Sequence, residues 1–119
     1  MSVGAVNIVQ EKSYCFAVRI VKMVQHVQRS HGEYVLSKQV LRSGTSIGAN
    51  VEEALAGQSR KDFCSKMAIA SKEARETDYW LRLLRDTGYL DAEAAASMLN
   101  DCIELKRILA SIVKTTQES

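Results

Sequence analysis

The chain is interrupted in only three places, at SHG (30–32), GQS (57–59) and GYLD (88–91). Between these breaks the apolar residues recur in alternating steps of three and four, the repeat of a helix that buries one face. Each break carries a glycine, where a helix can stop, and a serine, aspartate or acidic residue follows to start the next. Ser59 with Asp62 reads as a capping box, and Asp91 with Glu93 places negative charge at the positive end of a helix. No proline occurs in the 119 residues and aromatics make up only 6%. That composition lacks the turn and strand residues a β protein of this length needs, so the fold class is all-α.

The expected helices span about 7–29, 33–56, 59–88 and 91–115. Their core stripes begin with Phe16, Ile20, Met23 and Val27, and continue with Leu36, Val40, Ile47, Val51 and Ala54. Phe63, Met67, Ala70, Ala74, Thr77, Leu81 and Leu84 form the third. Ala95, Met98, Cys102, Leu105, Leu109 and Ile112 form the fourth. Links this short force neighbouring helices to run antiparallel. The expectation is one domain over 1–119, an up-down-up-down four-helix bundle. The third helix should span roughly 45 Å, and residues 1–6 and 116–119 should fray.

The stretch RSGTSIGANVEEA (42–54) breaks two local rules. Gly44 and Gly48 each cost roughly 1 kcal/mol against alanine inside a helix. Their spacing favours a smooth strip on which another backbone lies, over a local bend near Gly48. Ser43, Ser46, Asn50 and Glu53 also fall at helical spacing, as a polar stripe. In an antiparallel hairpin about 57–59, Arg42 and Ser43 come opposite Glu73 and Glu76, so Arg42 is expected to bridge to those carboxylates. Glu53 falls near the start of the third helix, facing Arg60 or Lys61 or the free amides there. Arg42, Ser46, Asn50, Glu53, Glu73 and Glu76 thus form a candidate structural polar network.

Catalytic signals are missing. A di-iron bundle uses Glu-x-x-His pairs, and neither His26 nor His31 follows a glutamate by three. Glu52, Glu53, Glu73, Glu76 and Glu104 have no histidine with them, and the glycines match no phosphate-loop pattern. No enzyme activity, metal or cofactor is expected. Cys15, Cys64 and Cys102 are too far apart for a metal or redox motif and read as reduced, mostly buried thiols of a cytoplasmic protein. No secretory leader or membrane span is expected.

The net charge is only +2, so distribution matters more than total. Lys12, Arg19, Lys22, His26 and Arg29 fall on one face of the first helix, and no acidic residue lies between Lys12 and Glu33. Lys72, Arg75 and Arg82 form a second basic stripe with Tyr79 among them. Stripes of this kind bind phosphate backbones, and an exposed tyrosine can stack on an unpaired base. Lys12, Arg19, Lys22, Arg29, Lys72, Arg75 and Arg82 are the candidate RNA- or DNA-binding residues. Tyr79, Trp80 and Leu83 make the third helix apolar on more than one stripe, as in a helix that also meets another subunit. The other expectation is a homo-oligomeric scaffold that docks a protein partner.

The runs VLRSGTSIGANVEEA and SRKDFCSKMAIASKEARETDYWLRLLRDTGY resemble the bacterial four-helix-bundle family encoded in intervening sequences of large-subunit ribosomal RNA, often labelled a ribosomal protein. They are also similar to the accessory protein of diversity-generating retroelements. The resemblance covers about residues 36–90. Arg42, Ser43, Ser46, Ile47, Asn50, Glu53, Phe63, Ala70, Glu73, Glu76 and Leu81 match the family pattern in order. Two positions depart from it. Many members have glycine at Ala54, which bears on how the second helix ends, and proline is common at Gly48, which bears on its straightness. The resemblance implies a ring-like homopentamer, no known catalysis, and a positive surface suggested to bind nucleic acid or a protein.

Overall fold

The computed structural model describes residues 3–118. It consists of α1 (Val3–His31), α2 (Val35–Ala56), α3 (Arg60–Asp86) and α4 (Ala92–Glu118), an all-α bundle of 46 × 21 × 18 Å. Consecutive helices are antiparallel neighbours, and of the four helix pairs in contact α1 and α4 touch least. Among the described residues no helix is long and apolar enough to cross a membrane.

The core follows the stripes. Phe16, Ile20, Ile47, Met67, Leu81, Leu84, Leu105 and Leu109 are fully buried, each a favourable transfer of roughly 1.5–3 kcal/mol. Leu36 and Phe63 are only partly buried against this core. At 27 residues, α3 is about 40 Å long, a little short of the expected length. Both ends are more regular than expected. Residues 3–6 belong to α1 and 116–118 to α4, while Met1, Ser2 and Ser119 lie outside the described residues. At the far end Thr116 Oγ1 donates to Ile112 O at 2.7 Å, tying the last turn to the helix.

The caps explain the breaks. Ser59 Oγ accepts from Asp62 N at 3.0 Å, and Asp91 Oδ1 accepts from Ala94 N at 2.7 Å. Gly32 and Gly88 take φ of +63° and +85°, a left-handed backbone that glycine enters without a Cβ clash. The start of α2 is a correction. It begins at Val35 rather than residue 33, because Glu33 acts as the cap. Its carboxylate accepts from the amides of Val35 and Leu36, each at 3.0 Å, and of Ser37 at 2.8 Å. Burial pushes this carboxyl upward, but these amide bonds outweigh it and hold the group below its ordinary 4.5.

The two glycines of α2 are where α1 lies against it. A Cβ built on Gly44 would fall 2.7–2.9 Å from Ile20 Cγ1, Cδ1 and Cγ2, and one on Gly48 would fall 3.3 Å from Ser13 O. The helix is continuous through both, so close packing and not a bend accounts for them. Burial of α1 against this strip offsets the poor helix propensity of glycine.

Gly44→Ala is expected to lower stability by about 1–3 kcal/mol in chemical denaturation, because the branched Ile20 side chain must move. A more stable variant would show that helix propensity outweighs packing there. Glu33→Gln is expected to cost about 1 kcal/mol near neutral pH. A depressed carboxyl stabilises the fold above its unfolded value of 4.5, and that contribution fades as pH falls through the lower folded value. The gap between wild type and variant in thermal melts should therefore shrink below pH 4.5; a gap independent of pH would contradict the cap.

Candidate nucleic-acid interface

The α1 stripe is divided by tertiary contacts that its own sequence does not reveal. No acid lies near it along the chain, but α4 brings Asp101 and Glu104 alongside. Lys12 Nζ pairs with Glu104 at 3.0 Å. Arg19 pairs with Asp101 and donates to Ser97 Oγ at 2.9 Å. The bond and charge of Glu104 raise the affinity of Lys12 for its proton. Lys22, His26 and Arg29 are exposed, and neither Lys22 nor Arg29 has a carboxylate partner among the described residues. Half the stripe thus closes the sparse α1–α4 seam, and half is available.

The second stripe divides in the same way. Arg82 Nε donates to Asp78 Oδ1 at 2.7 Å, and Lys106 reaches the other oxygen of Asp78 at 3.4 Å. Lys72 and Arg75 are exposed and lack a carboxylate partner among the described residues. Tyr79 is 50% exposed, with Trp80 edge-on at 5.1 Å and the Arg82 guanidinium 6.0 Å from its ring centre. Trp80 and Leu83 are half-buried, and the Trp80 indole N–H donates to Glu76 Oε2 at 3.0 Å. Of the three residues read as an oligomer interface, only Tyr79 is mainly exposed.

The polar network forms only in part. Arg42 spans Glu73, at 3.1 Å, and Glu76, as its position opposite them implied. Ser46 and Asn50 do not reach across. Ser46 Oγ donates to Arg42 O at 2.6 Å and Asn50 Nδ2 to Ser46 O at 2.8 Å, both within α2. Such back-bonding is a common outlet for polar side chains inside a helix. Glu53 pairs with Lys66 at 3.9 Å rather than with Arg60, Lys61 or the helix amides. The buried polar link between α2 and α3 is one the polar stripe only half showed: the Ser43 and Thr77 hydroxyls lie 2.9 Å apart, both fully buried. Thr77 sits in an apolar stripe, where its hydroxyl signalled a buried partner.

The cysteines also need correction. Cys102 is buried, but Cys15 is exposed and Cys64 intermediate. The Cys102 thiol donates to Ala74 O at 3.2 Å, and burial pushes its pKa up to about 12. It is a packing group, without thiolate character. No group of three or more metal-ligating side chains occurs among the described residues.

The hollows along the α1–α4 and α3–α4 seams differ in charge. Between α1 and α4 a hollow of about 370 Å³ carries mixed charge, with Glu11, Asp101 and Glu104 beside Lys12. Between α3 and α4 two hollows of about 320 and 620 Å³ lie end to end along the seam, with Gln117 in the lining of both. Arg60, Lys61, Arg75, Lys106 and Lys114 line them, and none of the residues lining either is acidic. The cations of α4 escaped the sequence reading. Their signal was present, since Lys106, Ala110, Lys114 and Gln117 recur in steps of four, four and three on one face.

A family model for the 23S rRNA-intervening sequence protein matches residues 6–111. A solved crystal structure from Bacteroides thetaiotaomicron VPI-5482, of a protein with unknown function from the S23 ribosomal protein family, is 51% identical. The match covers 92% of this chain and 98% of that one, with a TM-score of 0.90. No curated protein matches the chain. With nearly the whole bundle inside the family match, the chain belongs to the 23S rRNA-intervening sequence protein family.

Proposed function

We propose that this chain is a non-enzymatic, homo-oligomeric helical bundle that binds nucleic acid, RNA foremost, through basic helix faces. The observation that carries this reading is the uneven neutralisation of its 16 Lys and Arg residues. Cations at the α1–α4 and α2–α3 seams are paired with carboxylates. Lys22, Arg29, Lys61, Lys72, Arg75 and Lys114 have no carboxylate partner among the described residues. Unpaired surface cations condense onto a phosphate backbone and release its counterions, a gain that needs no pocket. A ring, a pentamer on the family resemblance, would repeat each weak patch and raise avidity. The site of action is proposed to be the cytoplasm, where the free cysteines stay reduced.

A second reading is a homo-oligomeric scaffold that docks a protein. It is favoured by apolar residues left outside the core on α1, where Tyr14 is 67% exposed, with Val18 and Val21 at 37% and 38%. Salt separates the two readings, since phosphate binding falls steeply with ionic strength. Fluorescence anisotropy with a structured RNA should show affinity falling by about tenfold or more between about 50 and 200 mM salt. Absence of binding at the lower salt would favour the scaffold.

A further inference from the structure

The nucleic-acid reading leaves open which face is used, and the furrow between α3 and α4 answers it. We propose that this furrow, walled by Arg60, Lys61 and Arg75 on one side and Lys106 and Lys114 on the other, holds the sugar–phosphate backbone of a nucleic-acid strand without reading its bases. The inference rests on the nucleic-acid reading above.

Charge is the first support. Every ionisable side chain lining the furrow, apart from the thiol of Cys64, is a cation. Among the described residues the only carboxylate tied to those cations is Asp78, which lies buried beside Lys106 and holds it at 3.4 Å. The rival surface on α1 has already spent Lys12 and Arg19 on Glu104 and Asp101. Shape is the second support. Ser65, Ala68, Ser71 and Ala110 line the furrow with small side chains, so the exposed cations stand above it. Lys61 and Arg75 lie fourteen residues apart on α3, or about 21 Å. That is the length of about six nucleotides of a stacked strand at roughly 3.4 Å each. A uniformly charged rod fits two such walls better than an acidic peptide, whose carboxylates alternate with other side chains.

The absence of base reading follows from what the furrow lacks. No aromatic residue lines it, and Tyr79 is occupied with Trp80 and Arg82. Stacking platforms are the usual means of holding unpaired bases. Contacts confined to phosphates position a strand but carry no sequence information.

The test is fluorescence anisotropy with labelled RNA and DNA of about 20 nucleotides, single- and double-stranded, in two unrelated sequences, against two charge-matched variants. Arg75→Glu with Lys114→Glu alters the furrow; Lys22→Glu with Arg29→Glu alters the exposed half of the α1 stripe. All four residues are exposed, and far-ultraviolet circular dichroism checks that both variants fold. The milder Arg75→Gln with Lys114→Gln guards against a local effect of the reversed charge. The furrow pair should lose about tenfold or more in affinity at low salt, and its salt slope should fall by about 2. The neutralised pair should lose part of that, and the α1 pair should stay near wild type. The two sequences should bind alike. Loss in the α1 pair with none in the furrow pair would overturn the furrow and leave the nucleic-acid reading standing. A wild-type chain that binds neither RNA nor DNA, or that takes up polyglutamate instead, would overturn both. A strong preference between the two sequences would overturn backbone-only contact.

Discussion

The close approach of α1 to Gly44 and Gly48 is the contact from which the rest of the arrangement follows. Ile20 fills the space that a Cβ at Gly44 would need, and the backbone at Ser13 sits just above Gly48. With α1 seated this deeply on α2, its contact with α4 is the sparsest among neighbouring helices. The α1–α4 seam is then bridged on the outside by Lys12–Glu104 and Arg19–Asp101. Exposed pairs of this kind contribute little stability. Their consequence is for the surface: they neutralise two cations of α1 with two carboxylates of α4.

The same division shapes the other side. Arg42 joins α2 to Glu73 and Glu76, while Asp78 gathers Arg82 and Lys106. Carboxylates are thereby used at the seams and at helix starts, where Glu33 and Asp91 accept from backbone amides. Among the described residues, unpaired cations remain on several helices, and along the hollows between α3 and the second half of α4 no carboxylate stands among them. A net charge of only +2 therefore conceals a local concentration of cations between α3 and α4, and local fields of this kind steer encounter with polyanions.

The bundle was legible in the sequence because its stripes are long, carry few polar residues and are separated by unambiguous stops. Every position from Phe16 to Val27 and from Ala95 to Ile112 assigned to a stripe is buried. The Gly44–Gly48 strip and the Arg42 bridge followed from spacing and hairpin geometry. What escaped was tertiary or local competition. The cap by Glu33 reaches over two to four residues, beyond the usual side chains at a helix start, so α2 begins later than expected. Ser46 and Asn50 turn back to their own helix. Lys12 and Arg19 look free along the chain, because the carboxylates that hold them lie more than eighty residues away. The furrow depends on two helices that meet side by side, and no single stripe displays it.

The most direct measurement of this account is the solution mass by light scattering at low and at high salt, with and without a mixed-sequence structured RNA. The expected result is an oligomer whose mass rises by bound RNA at low salt and returns to the protein-only value at high salt. A monomer, or an oligomer whose mass ignores RNA at both salts, would contradict it.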